Sequence, residues 1–118
     1  MSKEKLDKVI IVDDNEDIRD LLNITLEAYF QYEYLQAPSG NQAIEIIKSL
    51  DSEEIKFIVS DYNMPDGNGG VVYNFYKDNK IGCPFMLFTS EMIEELIEFK
   101  DFLNDDKLHA KLTKPADL

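Results

Sequence analysis

Lys8-Val9-Ile10-Ile11-Val12-Asp13-Asp14 is the stretch that decides how this chain folds. Its apolar residues are all β-branched and run on without a polar break, so it reads as a strand buried on both faces. A strand of that kind belongs in a parallel sheet with helices on either side. It ends on two acids. Asp14-Asn15-Glu16-Asp17 then suits a helix start, with carboxylates at the positive end of the helix dipole.

Outward from this stretch the same alternation recurs. Ile18, Leu21, Leu22, Thr25 and Tyr29 at helical spacing predict a first helix from about Glu16 to Phe30. Tyr32 to Ala37 reads as a second strand, broken by Pro38-Ser39-Gly40. Ser39 or Asn41 suits the cap of a second helix whose apolar stripe is Ala43, Ile44, Ile47 and Leu50. Ile55 to Ser60 is a third strand, ending at Asp61, and Tyr62 to Gly70 is a loop dense in turn formers. Val71, Val72, Phe75 and Tyr76 mark a third helix, on which Tyr73 and Tyr76 are expected to be partly exposed. Phe85 to Phe88 is a fourth buried strand, closing on Thr89-Ser90. Ile93, Leu96, Ile97 and Leu103 predict a fourth helix of about three to four turns. His109 to Thr113 is a short fifth strand, ended by Lys114-Pro115. This order predicts a single α/β domain over residues 1–118, with a parallel sheet covered by helices.

The 118 residues carry a formal net charge of −12. Such a surface repels nucleic acid phosphates and anionic lipid, so direct binding to either is not expected. The N-terminal apolar run is too brief for a signal-peptide core, and no run approaches the roughly 18 residues that span a bilayer. A soluble cytoplasmic protein is expected. The lone Cys83 excludes an internal disulfide and reads as a small buried or half-buried residue. His109, the only histidine, begins the fifth strand far from its carboxyl end and reads as structural.

In an open parallel sheet, sites form beyond the carboxyl ends of the strands. Asp13, Asp14, Asp61, Thr89, Ser90 and Lys114 all stand at those ends. Each alone has a bland reading as a helix cap, a turn former or a solvated lysine. Their common placement points to a site. Three close carboxylates repel, and one is driven toward protonation unless a cation sits between them. All-oxygen ligation favours a hard cation, Mg²⁺ or alternatively Mn²⁺. A carboxylate beside such a cation and an ammonium suits an incoming phosphoryl group, with an acyl phosphate as the product.

As an ordered set, Val12-Asp13-Asp14, Asp61-Tyr62-Asn63-Met64-Pro65 with Gly69, Thr89-Ser90-Glu91 and Lys114-Pro115 resemble the receiver domains of two-component response regulators. The likeness spans nearly the whole chain. It implies a flavodoxin-like sheet ordered 2-1-3-4-5. It implies that Asp61 is the phosphoacceptor and that Asp14 and Asp61 are metal ligands, with Asp13 acting directly or through water. It further implies that the Asn63 backbone carbonyl ligates the metal. Thr89 would hydrogen-bond the phosphoryl group, Lys114 would pair with one of its oxygens, and the small Ser90 would leave access to Asp61. The implied donor is a phosphohistidine on a sensor histidine kinase or histidine phosphotransfer protein. Asn63 and Glu91 would border the path of the hydrolytic water, and their polarity leads us to expect a short-lived phosphoryl state.

Two departures bear on this. The position three residues before the site lysine, usually aromatic in the family, is Lys111. It reads either as a solvated edge-strand residue that discourages pairing or as a partner for an acid such as Glu91 or Glu95. The chain also stops at Leu118, where the resemblance implies a fifth helix, so that helix is expected to be missing or truncated. Apolar side chains of the first and third strands are then expected to meet water. Three explanations compete: the sequence is a fragment of a longer chain, the bare face pairs with itself in a homodimer, or an outside helix covers it. Fragment or truncation with self-association ranks first. The alternative reading is an interaction module on the same fold that signals without phosphorylation. Enzymatic readings fit worse. Asp13-Asp14-Asn15-Glu16 would repel the phosphate of a flavin, and it lacks the Asp-x-Asp spacing of haloacid-dehalogenase-type phosphatases.

Overall fold

A computed structural model describes residues 6–104 and 109–114. Strands β1 (Lys8–Val12), β2 (Glu33–Ala37), β3 (Ile55–Ser60), β4 (Phe85–Thr89) and β5 (Ala110–Thr113) alternate with helices α1 (Glu16–Glu27), α2 (Gly40–Lys48) and α3 (Gly69–Asp78). The sheet order is β2-β1-β3-β4-β5, with every pairing parallel. This is the flavodoxin-like order that the resemblance implied. The register sets Val12 beside both Ala37 and Ser60, and Thr89 beside Thr113. The residues that follow these strands therefore gather at one edge of the sheet.

Alternation along the strands divides the core between two faces. Ile10, Val12, Ile58, Phe85 and Leu87 pack with Ala43, Ile47, Val72, Tyr73 and Tyr76 from α2 and α3. Val9, Ile11 and Val59 face the other way and pack with Leu22 and Leu26 of α1 and with Tyr32, Tyr34 and Phe57. The apolar side chains of β1 and β3 are therefore not bare, since Val9, Ile11 and Val59 are each at most 2% exposed. Exposure on this face falls instead toward β4 and β5, where Met86 and Phe88 are half-buried and Leu112 is exposed. Pro115 to Leu118, on which the fifth-helix expectation rests, lie outside the described residues.

Among the described residues the expected fourth helix is absent. Short 3₁₀ turns at Ile93–Glu95, Ile97–Phe99 and Phe102–Asn104 take its place. Leu96 is buried with extended backbone (φ −103°, ψ 101°), so the chain restarts its turn there. Neither Met92 nor Leu96 supplies a side-chain cap. Phe99 and Phe102 are drawn inward, Phe99 stacking on Tyr73 at 4.5 Å and Phe102 meeting it edge-on at 5.3 Å. Ring packing wins over the modest propensity of this acidic segment, and Ile97 is left outside. The same packing explains why Tyr73 and Tyr76 are buried rather than partly exposed.

α1 stops at Glu27, short of Phe30, because Phe30 leaves the helix to stack on Tyr32. Cys83 is buried and His109 is structural: its Nδ1 accepts the Phe85 amide at 3.0 Å and its ring stacks on Phe102. No helix among the described residues is long and apolar enough to cross a membrane.

Candidate functional site

β1 delivers Asp13, 1% exposed, to the carboxyl edge, where its amide still bonds to the Ala37 carbonyl. Asp13 Oδ1 accepts the Asn15 amide at 2.9 Å. Asn15 in turn caps α1, its Oδ1 accepting the amides of Asp17 and Ile18. Asp14, between them, is exposed to the cleft that it lines. β3 delivers Asp61, 7% exposed, whose amide donates to the Val12 carbonyl at 2.9 Å. Its Oδ1 accepts the Tyr62 amide at 2.7 Å. β5 delivers Lys114, whose amide donates to the Thr89 carbonyl at 3.1 Å. The buried Lys114 amine donates to Asp13 Oδ2 at 2.8 Å and to Asp61 Oδ2 at 3.0 Å.

Carboxylate oxygens of Asp13, Asp14 and Asp61 lie within 4.8 Å of one another. They and Lys114 line an open cleft of about 510 Å³ with Asn15, Glu16, Asp17 and Ile18. Burial raises the Asp61 carboxyl above its ordinary value, and Asp13 adds to this against the opposing pull of Lys114. Burial lowers the Lys114 amine, but its hydrogen bonds and charge contacts with Asp13 and Asp61 outweigh that and raise it. The ammonium therefore stays charged beside two buried acids. Three hard oxygen donors converging on an open cleft fit a small divalent cation.

Among the described residues, Asn63, Thr89 and Lys111 form hydrogen bonds outside the three-acid cluster. Thr89 is buried at the end of β4, where its hydroxyl accepts the Glu91 amide at 3.2 Å and does not line the acidic cleft. Ser90 is exposed. The Asn63 side chain donates to Glu91 Oε2 at 2.9 Å. Lys111 donates to Thr113 Oγ1 at 2.8 Å, and among the described residues it makes no ion pair with Glu91 or Glu95.

The loop after Asp61 is closed by the Gly69 amide on the Tyr62 carbonyl. It is also fastened to α2, where Ser39 and Asn41 both donate to the Asp66 carboxylate. These bonds hold that carboxyl below its ordinary value. Asp66 sits at φ 59°, a backbone region that Asp tolerates better than most residues.

Arg19 went unread in the sequence. It donates to the Asp13 carbonyl at 2.7 Å and to Gln36 Oε1 at 3.0 Å, clamping α1 and β2 to the acidic turn. Its being the chain's only arginine, one helical turn past the acids, was an available signal.

A sequence profile of the response regulator receiver domain matches residues 9–117. The chain is 31% identical over 110 residues to the response regulator SaeR of Staphylococcus aureus, covering 93% of this chain and 46% of the relative. It thus spans about half the length of the curated relatives it matches. A solved structure of the chemotaxis protein CheY4 of Vibrio cholerae aligns with a TM-score of 0.75 at 26% identity, covering 94% of this chain and 88% of that one. The response regulator TrrA of Thermotoga maritima, solved in complex with Mg²⁺ and BeF, aligns with a TM-score of 0.74 at 21% identity, covering 95% and 90%.

Proposed function

The chain belongs to the response regulator receiver family, and from that premise we propose that it is a phosphoacceptor switch whose chemistry is confined to its own Asp61. One observation supports this reading above the others: the Lys114 amine bridges Asp13 and Asp61 beside an exposed third acid. Asp13, Asp14 and Asp61, with the Asn63 carbonyl, would hold Mg²⁺, which when bound offsets charge on the phosphoryl oxygens. Mn²⁺ has the same donor preference.

In this reading an Asp61 oxygen attacks the phosphorus of a phosphohistidine on a sensor kinase or phosphotransfer protein. The P–O bond forms as the P–N bond breaks, and the electron pair leaves on the imidazole nitrogen. Lys114 shifts its donation to a phosphoryl oxygen. Thr89 gives up its bond from the Glu91 amide and donates its hydroxyl to the phosphoryl group. Asn63 and Glu91, already bonded to each other, stand by the path of the hydrolytic water and favour a short-lived phosphoryl state. We place this exchange in the cytoplasm, with output through a partner surface and no direct nucleic acid contact by residues 1–118 themselves. Self-association enters only through the β4–β5 face around Leu112.

Incubation with Mg²⁺ and acetyl phosphate, followed by intact mass, tests the proposal. Incorporation of one phosphoryl group that Asp61→Asn abolishes supports it. Absence of incorporation, with no spectral change under beryllofluoride, favours a module that signals without phosphorylation.

A further inference from the structure

The two oxygens of Asp61 are held by different groups. Oδ2 receives the Lys114 amine on the cleft side, and Oδ1 receives the Tyr62 amide. The Tyr62 amide therefore fixes the rotation of the carboxylate. Tyr62 is itself anchored at its far end, where its hydroxyl donates to Glu98 Oε1 at 2.9 Å and its ring meets Phe99 edge-on at 6.1 Å.

Glu98 is in turn held in place. Its carboxylate lies over Gly70 in the first turn of α3, where a Cβ would come within 2.4 Å of the Glu98 carboxyl carbon. Its backbone carbonyl accepts Lys77 Nζ at 3.5 Å. Its neighbour Phe99 stacks on Tyr73. A glutamate in an outer 3₁₀ turn, otherwise free to be solvated, is thus seated on a glycine and directed at the residue after Asp61.

We propose that Glu98 is a positioning residue for Asp61: by holding the Tyr62 hydroxyl it keeps the Tyr62 amide on Oδ1 and leaves Oδ2 as the attacking oxygen. This rests on the reading of Asp61 as phosphoacceptor. With acetyl phosphate as donor, the Oδ2 lone pair forms the new P–O bond as the bond from phosphorus to the acetyl oxygen breaks, and acetate leaves with that pair. Loosening the anchor spreads the carboxylate over unproductive rotations, which slows attack without removing a metal ligand.

The test measures, on the full chain, phosphorylation rate at saturating Mg²⁺, Mg²⁺ affinity and Tm for wild type, Tyr62→Phe, Glu98→Ala and Glu98→Gln. Tyr62→Phe and Glu98→Ala are expected to slow phosphorylation by about three- to tenfold, the scale of one hydrogen bond. Mg²⁺ affinity is expected to fall by less than the rate does, since Asp61 loses orientation but no ligand is removed. Glu98→Gln is expected to keep the wild-type rate, because its amide oxygen accepts the same bond. Unchanged rates in Tyr62→Phe and Glu98→Ala overturn the proposal. So does a slowing matched by equal losses of Mg²⁺ affinity and Tm, or a Glu98→Gln variant as slow as Glu98→Ala. If the wild-type chain takes up no phosphoryl group, the phosphoacceptor reading falls and this one with it. If the wild-type chain is phosphorylated and the variants keep its rate, the positioning role alone is rejected.

Discussion

Lys114 donates to Asp61 Oδ2 at 3.0 Å across 53 positions of sequence, and both side chains are buried. The same amine reaches Asp13, so one cation offsets two buried acids. Removing it separates three consequences of that arrangement.

Lys114→Met is expected to lower stability without metal by about 3 kcal/mol, because it leaves Asp13 and Asp61 uncompensated. Mg²⁺ is expected to bind more tightly to the variant, since a competing positive charge is gone. Phosphorylation is expected to slow by about a hundredfold or more, through loss of a donor to the phosphoryl oxygens. Denaturant melts, Mg²⁺ titration and phosphorylation rates read the three effects separately. A variant weaker in Mg²⁺ binding contradicts the geometry.

Asp61→Asn is expected to behave oppositely in stability. Burial disfavours the ionised carboxyl, so without metal the variant is expected to melt about 2–6 °C above wild type. Mg²⁺ is expected to stabilise wild type, by about 2.7 kcal/mol at a hundred times its Kd, and to stabilise the variant less. Thermal melts with and without Mg²⁺ check both. Equal Mg²⁺ gains in the two proteins count against Asp61 as a ligand.

Gly69→Ala is expected to destabilise the fold by about 1–3 kcal/mol, as overpacking does. A Cβ there would stand 2.3 Å from the Asp61 carbonyl oxygen, and a main-chain atom cannot yield as a side chain does. The amide resonances of Asp61 and Tyr62 are expected to move most. An Ala variant as stable as wild type refutes the close approach.

Asp66 carries a pH dependence of known sign. Its folded pKa lies below its unfolded value because Asn41 and Ser39 donate to the carboxylate. The stabilisation is therefore present above about pH 3.9, the unfolded value, and is lost as pH falls through the lower folded one. The Tm difference between wild type and Asp66→Ala is expected to shrink on acidification through that range. A difference that stays constant or widens there excludes the charged form as the source.

The elements were legible wherever periodicity and chain breakers agreed. The run from Val9 to Val12 and the segment Ile55 to Ser60 read as strands, and β3 has the bounds read for it. The segment after Thr89 was not legible in this way. Its apolar spacing fits a helix, yet Leu96 turns inward with extended backbone and Phe99 and Phe102 follow it onto Tyr73. Local spacing says nothing of rings contributed by α3. The covering of β1 and β3 was misjudged for a related reason, since α1 and the aromatic residues of β2 close over them.

The sequence by itself determined which chemical groups stand at the ends of strands, because alternation of buried strands with helices forces a parallel sheet and a parallel sheet has one carboxyl edge. Only the tertiary structure decided how those groups share their bonds: the Lys114 amine between Asp13 and Asp61, Arg19 on the Asp13 carbonyl, Tyr62 on Glu98, Thr89 turned to the Glu91 amide. Such pairings depend on register and side-chain rotation between segments far apart in the chain, and neither is encoded in local patterns of polarity.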